Sequence, residues 1–106
     1  MSAVLIYITA GDRDEAVRIG RTLVEERLAA CANVLDGMTS IYRWQGDICE
    51  DTEAVLIAKT TAEHVDVLTA RVRGLHSYDC PCVVVLPVGG GNAGFLDWIA
   101  EQTAPE

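Results

Sequence analysis

The chain has 106 residues, half of them apolar and only six aromatic, with a formal net charge of −8. That length makes residues 1–106 a single domain with an aliphatic core and leaves no room for a second. The charge argues against nucleic acid and anionic membranes as partners, because both select basic patches and the eight cations here are scattered.

Ala3–Thr9 is β-branched and apolar and predicts a buried first strand, broken by Gly11-Asp12. Asp12, followed three residues later by Glu15, has the form of a capping box opening a helix. Ala16, Ile19, Gly20, Leu23, Val24 and Leu28 gather on one face of that helix, which is expected to end near Ala29–Ala30. Cys31–Leu35 reads as a short strand, and Asp36-Gly37 as a turn or bulge. Met38–Trp44 and Ile48–Thr60 are extended arms around Gln45-Gly46-Asp47, so Met38–Thr60 predicts one hairpin with Trp44 at its tip. Its arms exceed the usual strand length and should overhang the core.

Thr60 with Glu63 has the form of a second capping box. Val65, Leu68, Val72 and Leu75 then follow at helical spacing, with an end expected near Gly74. A turn over His76–Cys80 leads into a strand, Pro81–Val88. Gly89-Gly90-Gly91-Asn92 is a turn, and Phe95–Gln102 a short closing helix. The order is strand, helix, strand, strand, helix, strand, helix. It predicts an α+β fold of the split β-α-β, ferredoxin-like kind, with both main helices on one sheet face. The other face and the long hairpin would be bare apolar surface in a lone copy, which predicts a cyclic homo-oligomer.

The apolar run Ala3–Ile8 is too short to span a bilayer and lacks a cationic leader, so neither signal peptide nor anchor is expected. A cytoplasmic protein is the expectation, with Cys31, Cys49, Cys80 and Cys82 as free thiols.

His76-Ser77-Tyr78-Asp79-Cys80-Pro81-Cys82 crowds an imidazole, a phenol, a carboxylate and two thiols into one turn. His76, Cys80 and Cys82 are candidate metal ligands, since thiolate with imidazole suits Cu(I) or Zn(II). The competing reading is a helix-ending turn whose histidine caps carbonyls and whose cysteines are small buried residues. Tyr78 and Asp79 are candidates for a ligand cleft, with local anchoring as the alternative for Tyr78. Tyr42 and Trp44 read as subunit contacts. Gly89–Gly91 lacks the Lys-Ser/Thr of a phosphate loop. No catalytic constellation is complete, so binding rather than turnover is expected. The acidic clusters Asp12-Asp14-Glu15 and Glu50-Asp51-Glu53 read as solvated faces or caps.

Several blocks fall in order along the chain: Glu26–Val34, Ser40–Gly46, Ile57–Thr60, the His76 turn and Phe95–Trp98. Together they resemble the CutA divalent-cation tolerance family over essentially its whole length. The resemblance implies a ferredoxin-like fold, a tight homotrimer built through the long hairpin, and a role in the response to metal ions, copper especially. The family usually reads His-Pro-Tyr-Glu-x-Pro-Glu at the motif, whereas Ser77, Asp79 and Cys82 stand here where Pro, Glu and Glu are typical. A cysteine implicated in copper binding in some members corresponds to about Ile8 and is absent. A weakly held copper or other divalent ion at His76, Cys80 and Cys82 is therefore expected to meet a sulfur-richer site. Similar trimers occur in the PII signalling proteins, so a regulatory module binding a small anionic effector between subunits is the alternative.

Overall fold

The structure, a computed structural model, describes residues 2–105. Strand β1 (Ala3–Ala10) leads to helix α1 (Arg13–Glu25), then to β2 (Cys31–Trp44) and β3 (Asp47–Thr61). Helix α2 (Val65–Leu75) follows a single 3-10 turn, and β4 (Val83–Pro87) and α3 (Ala93–Thr103) complete the chain. The strands lie in the order β2-β3-β1-β4, with every neighbouring pair antiparallel. Each helical crossover, β1-α1-β2 and β3-α2-β4, thus skips one strand, which is the split β-α-β, ferredoxin-like arrangement the sequence predicts.

Alternation along β1 decides where the core sits. Val4, Ile6, Ile8 and Ala10 are buried, and the residues between them are only half-buried. Opposite them in β3, Ala54, Leu56, Ala58 and Thr60 turn to the same side, which is the face that α1 and α2 cover. Ile19 and Leu23 from α1 and Leu68 and Val72 from α2 complete that core. The other face carries Tyr7, Ile57, Leu35, Val84 and Leu86. Helix α3 crosses only one end of it, where the Lys59 ammonium sits 5.4 Å from the centre of the Phe95 ring.

The hairpin is longer than expected. β2 runs unbroken from Cys31 to Trp44, and Asp36-Gly37 is a bulge within it, between Leu35 and Met38, with Gly37 at φ 74°. The bulge keeps the strand paired while shifting its alternation by one residue. At the tip, Gln45 and Gly46 have φ of 49° and 87°, so both central residues are left-handed, as a two-residue hairpin loop requires. Strands of 14 and 15 residues against the usual five or six make the molecule 44 Å long and only 26 by 22 Å across.

Two helix boundaries depart from expectation. Helix α1 stops at Glu25 rather than near Ala30, because Arg27 adopts φ 60°. Leu28 N–H then donates to Leu23 O and Arg27 N–H to Val24 O, a Schellman termination with arginine in the place glycine usually takes. The Arg27 guanidinium donates to the Ala104 and Glu101 carbonyls beyond and within α3, anchoring this unusual cap. The Thr60–Glu63 capping box does not form. Thr60 lies inside β3, paired with Val4, and Thr61 instead shares a 2.7 Å hydrogen bond with His64 Nδ1. At α1, Asp12 Oδ1 does accept the Glu15 N–H at 2.8 Å, as predicted. No helix among the described residues is long and apolar enough to cross a membrane.

Candidate functional site

The turn after α2 wraps the end of β1, and His76 is the pin. Its side chain is completely buried. Nε2 lies 2.7 Å from the Thr9 carbonyl, and Nδ1 accepts the Tyr78 N–H at 3.0 Å. A carbonyl can only accept, so Nε2 carries the proton and Nδ1 is the acceptor: the neutral tautomer, assigned from its partners. Both nitrogens are thereby committed, and neither offers a lone pair to a metal ion in this conformation.

Glu15 locks the same turn from the other side. It is 6% exposed; Oε1 accepts the Gly11 N–H at 2.9 Å and Oε2 the Ser77 N–H at 2.8 Å. Burial pushes its carboxyl up, but the hydrogen bonds from Gly11 and Ser77 outweigh that and hold it below the usual carboxylate range. The sequence reading treats Glu15 as a cap and misses this second role, because its partner lies 62 residues away and no local pattern marks it.

Beyond the pin, Tyr78 turns its ring toward His76, with centroids 4.6 Å apart, and its hydroxyl donates to Glu53 Oε2 at 2.8 Å. Tyr42, on the hairpin, donates its hydroxyl to Asp51. These contacts frame an open cavity of about 430 Å³ on the sheet face away from α1 and α2. Its lining residues include Tyr42, Trp44 and Glu53 from the hairpin and Tyr78, Asp79, Cys80 and Cys82 from the turn. The turn and the hairpin tip, separate in sequence, thus meet at one place. Glu53 is the other residue that pattern reading missed: it looks like part of a solvated acidic run, and only the register Met38↔Glu53 turns it inward.

Of the three candidate metal ligands, Cys80 and Cys82 line this cavity and His76 lies beneath it, already paired. All four cysteines are free thiols. Among the described residues no three His, Cys, Asp or Glu side chains are grouped as a metal ion would need. Among the described residues of one chain, no lysine or arginine lines the cavity.

Comparison with known proteins meets this geometry from another direction. Residues 4–102 match the model of the CutA1 divalent ion tolerance protein family. The chain belongs to the CutA1 family. It is 48% identical over 99 residues to the divalent-cation tolerance protein CutA of Thermus thermophilus, covering 93% of this chain and 96% of that one. The human protein CutA is 41% identical over 92% of this chain, which spans only 54% of that longer relative. Among solved structures, CutA1 of Thermus thermophilus superposes with a TM-score of 0.94 at 46% identity, covering 96% of this chain and 99% of that one. CutA1 of Oryza sativa gives 0.96 at 35% identity, covering 100% and 97%. The ferredoxin-like fold of the CutA1 family therefore accounts for the whole described chain.

Proposed function

We propose that this protein is a homotrimeric divalent-cation tolerance protein of the cytoplasm, whose act is to bind copper or another thiophilic ion rather than to turn over a substrate. Family membership supports the relation to metal ions. The observation that carries the site is that Cys80 and Cys82 line one cavity together with Asp79 while His76 is committed elsewhere. Two thiolates favour a soft ion, which releases their protons on binding. One chain supplies fewer donors than a closed site takes, so the remaining positions fall to solvent or a neighbouring subunit. Free thiols fit a reducing compartment.

Support for the trimer is the surface left bare. Ile41 and Ile48, diagonal neighbours on the hairpin face away from the cavity, are 67% and 63% exposed. Val84 and Leu86 on the open sheet face are half exposed as well. Surfaces of that kind mark association sites. Tyr42 and Trp44 would then stand at the rim of the cavity, where subunits meet.

Titration of reduced protein against chelator-buffered Cu(I), and against Zn(II), tests the site. Cys82→Ser should weaken binding by more than about tenfold, since even outer contacts of a metal ligand are worth that much. His76→Ala should retain the thiol-dependent binding. Cys82→Ser binding like the parent protein would overturn the site. Sedimentation giving the mass of a single chain would overturn the trimer.

A further inference from the structure

The two thiols of the turn have a chemistry with each other that does not depend on the cavity. Cys80 and Cys82 are separated only by Pro81, so their Cα atoms lie at most about 7 Å apart even in fully extended chain, whatever covers that face in the assembly. Residues two apart in extended backbone also face the same side. Bridged cysteines have Cα atoms about 4.4–6.8 Å apart, so closing the bend that the chain makes over 77–80 brings the pair within reach. We propose that Cys80 and Cys82 join in a reversible intrachain disulfide on exposure to hydrogen peroxide, and that this bond switches off the metal site.

The segment that carries the pair is held at both ends. On one side the Ser77 N–H donates to Glu15 and the Tyr78 N–H to His76; on the other, Val83 enters the ladder opposite Ile8. Strand β4 begins only at Val83, and Pro81 has no N–H, so the thiols can draw together without giving up a paired strand residue. Cys31 and Cys49 cannot bridge each other in the same way. Cys31 stands opposite Lys59 at the base of the hairpin and Cys49 opposite Tyr42 toward its tip, about 30 Å apart along the strands. A disulfide that closes so small a ring gains little from restricting the unfolded chain and carries strain, which makes it easy to reduce. It therefore suits a labile switch, and agrees with all four cysteines standing as free thiols.

The electrons balance in two steps. One thiolate attacks a peroxide oxygen, breaks the O–O bond and releases hydroxide, leaving a sulfenic acid. The second thiol attacks that sulfur, forming the S–S bond and expelling water. The two sulfurs together lose two electrons, and the peroxide gains them. Two glutathione thiols reverse the change by thiol–disulfide exchange and leave as glutathione disulfide. The effect on the ion rests on the reading of Cys80 and Cys82 as its ligands: thiolate holds a soft ion, and joined sulfurs offer no thiolate.

Cys31→Ser with Cys49→Ser leaves only the pair, and the experiment uses that variant in its native assembly, reduced and with EDTA present. After hydrogen peroxide and alkylation, intact mass should show most chains lighter by two hydrogens and unalkylated, and a non-reducing gel should show single chains. Excess glutathione should return both thiols. Adding Cys80→Ser should stop the reaction at a sulfenic acid that dimedone traps on Cys82. Chains that keep two alkylatable thiols would overturn the proposal, as would bonds between chains or oxidation to sulfinic acid with no disulfide. With EDTA removed, Zn(II), which has no redox chemistry of its own, reads the consequence. The oxidised form should bind it at least about tenfold more weakly than the reduced form, and re-reduction should restore the affinity. Equal affinity in the two forms would overturn the switch. A reduced form that binds no ion would instead defeat the metal reading, while the disulfide read by mass would stand.

Discussion

On the helix side of the sheet Ile6, Ile8, Leu56 and Ala58 have no exposed surface, whereas on the other side Val84 and Leu86 each keep 48%. Both sets are aliphatic and both belong to one sheet, the first on β1 and β3 and the second on β4 beside them. One set has its cover supplied by α1 and α2 of the same chain; the other has only α3 across one end. The comparison separates two meanings of an apolar strand residue. In one case it records intramolecular packing, and in the other a surface whose partner lies outside the chain. Substitutions on the two faces should therefore fail in different ways.

The largest effect belongs to the hairpin beyond the helices, where Ile41 and Ile48 stand on the helix side of the sheet yet stay bare because α1 and α2 do not reach them. Ile41→Asp combined with Ile48→Asp should weaken association by about 4 kcal/mol, taking each as an anchor worth about 2 kcal/mol. The single chain should keep its circular dichroism, because neither side chain packs on the core. Sedimentation across a dilution series reads the outcome, and an unchanged assembly would show that this face is not used. Where the helices do cover that side, the reverse holds. Leu56→Ala should cost about 3 kcal/mol of folding stability, the sum of lost transfer free energy and an unfilled cavity. Chemical denaturation of the trimer-deficient variant isolates that loss from association, and a cost below about 1 kcal/mol would place Leu56 outside the packed core.

Glu15 sharpens the contrast at the seam between the two faces, where the turn crosses from one to the other. Its folded carboxyl is held below the usual range, so the ionised form stabilises the fold. That contribution is complete above the unfolded value near about 4.3 and is lost as pH falls through the depressed folded value. Glu15→Gln should cost about 2 kcal/mol at neutral pH, because an amide cannot accept from both the Gly11 and Ser77 N–H groups as the carboxylate does. The gap between variant and parent should close below pH 4. Melting temperatures measured from pH 7 to pH 3 check this, and a gap independent of pH would remove the carboxylate's charge from the explanation.

Most of the fold was legible because its signals are local. β-branched runs, the Gln45-Gly46 turn and the Asp36-Gly37 bulge are each marked by residues whose backbone preferences differ sharply from their neighbours. The end of α1 was not, because Arg27 takes a left-handed conformation with no glycine to announce it, held by carbonyls that lie in sequence at α3. The site was legible only as a neighbourhood. Reading His76, Cys80 and Cys82 as one group followed their adjacency in sequence, yet the turn buries the imidazole and leaves Cys80 and Cys82 in the lining of the cavity on the far face. Nothing near Glu53 in sequence says that its carboxylate will meet Tyr78, since that depends on strand register and on the path of a turn 25 residues away.

The smallest predicted effect is a gain, and it tests how completely the covered face is closed. Thr60 lies on that face opposite Val4 with no exposed surface, and its hydroxyl has no hydrogen-bond partner. A buried hydroxyl without a partner keeps its desolvation cost and returns nothing for it. Thr60→Val replaces the hydroxyl with a methyl of nearly the same volume in a strand that favours β-branched residues. It should raise stability by about 1 kcal/mol, read as a shift in the denaturation midpoint with an unchanged slope. A loss of stability instead would mean that the hydroxyl is hydrated in solution, and that the helix-covered face admits water at the edge where β3 gives way to the 3-10 turn.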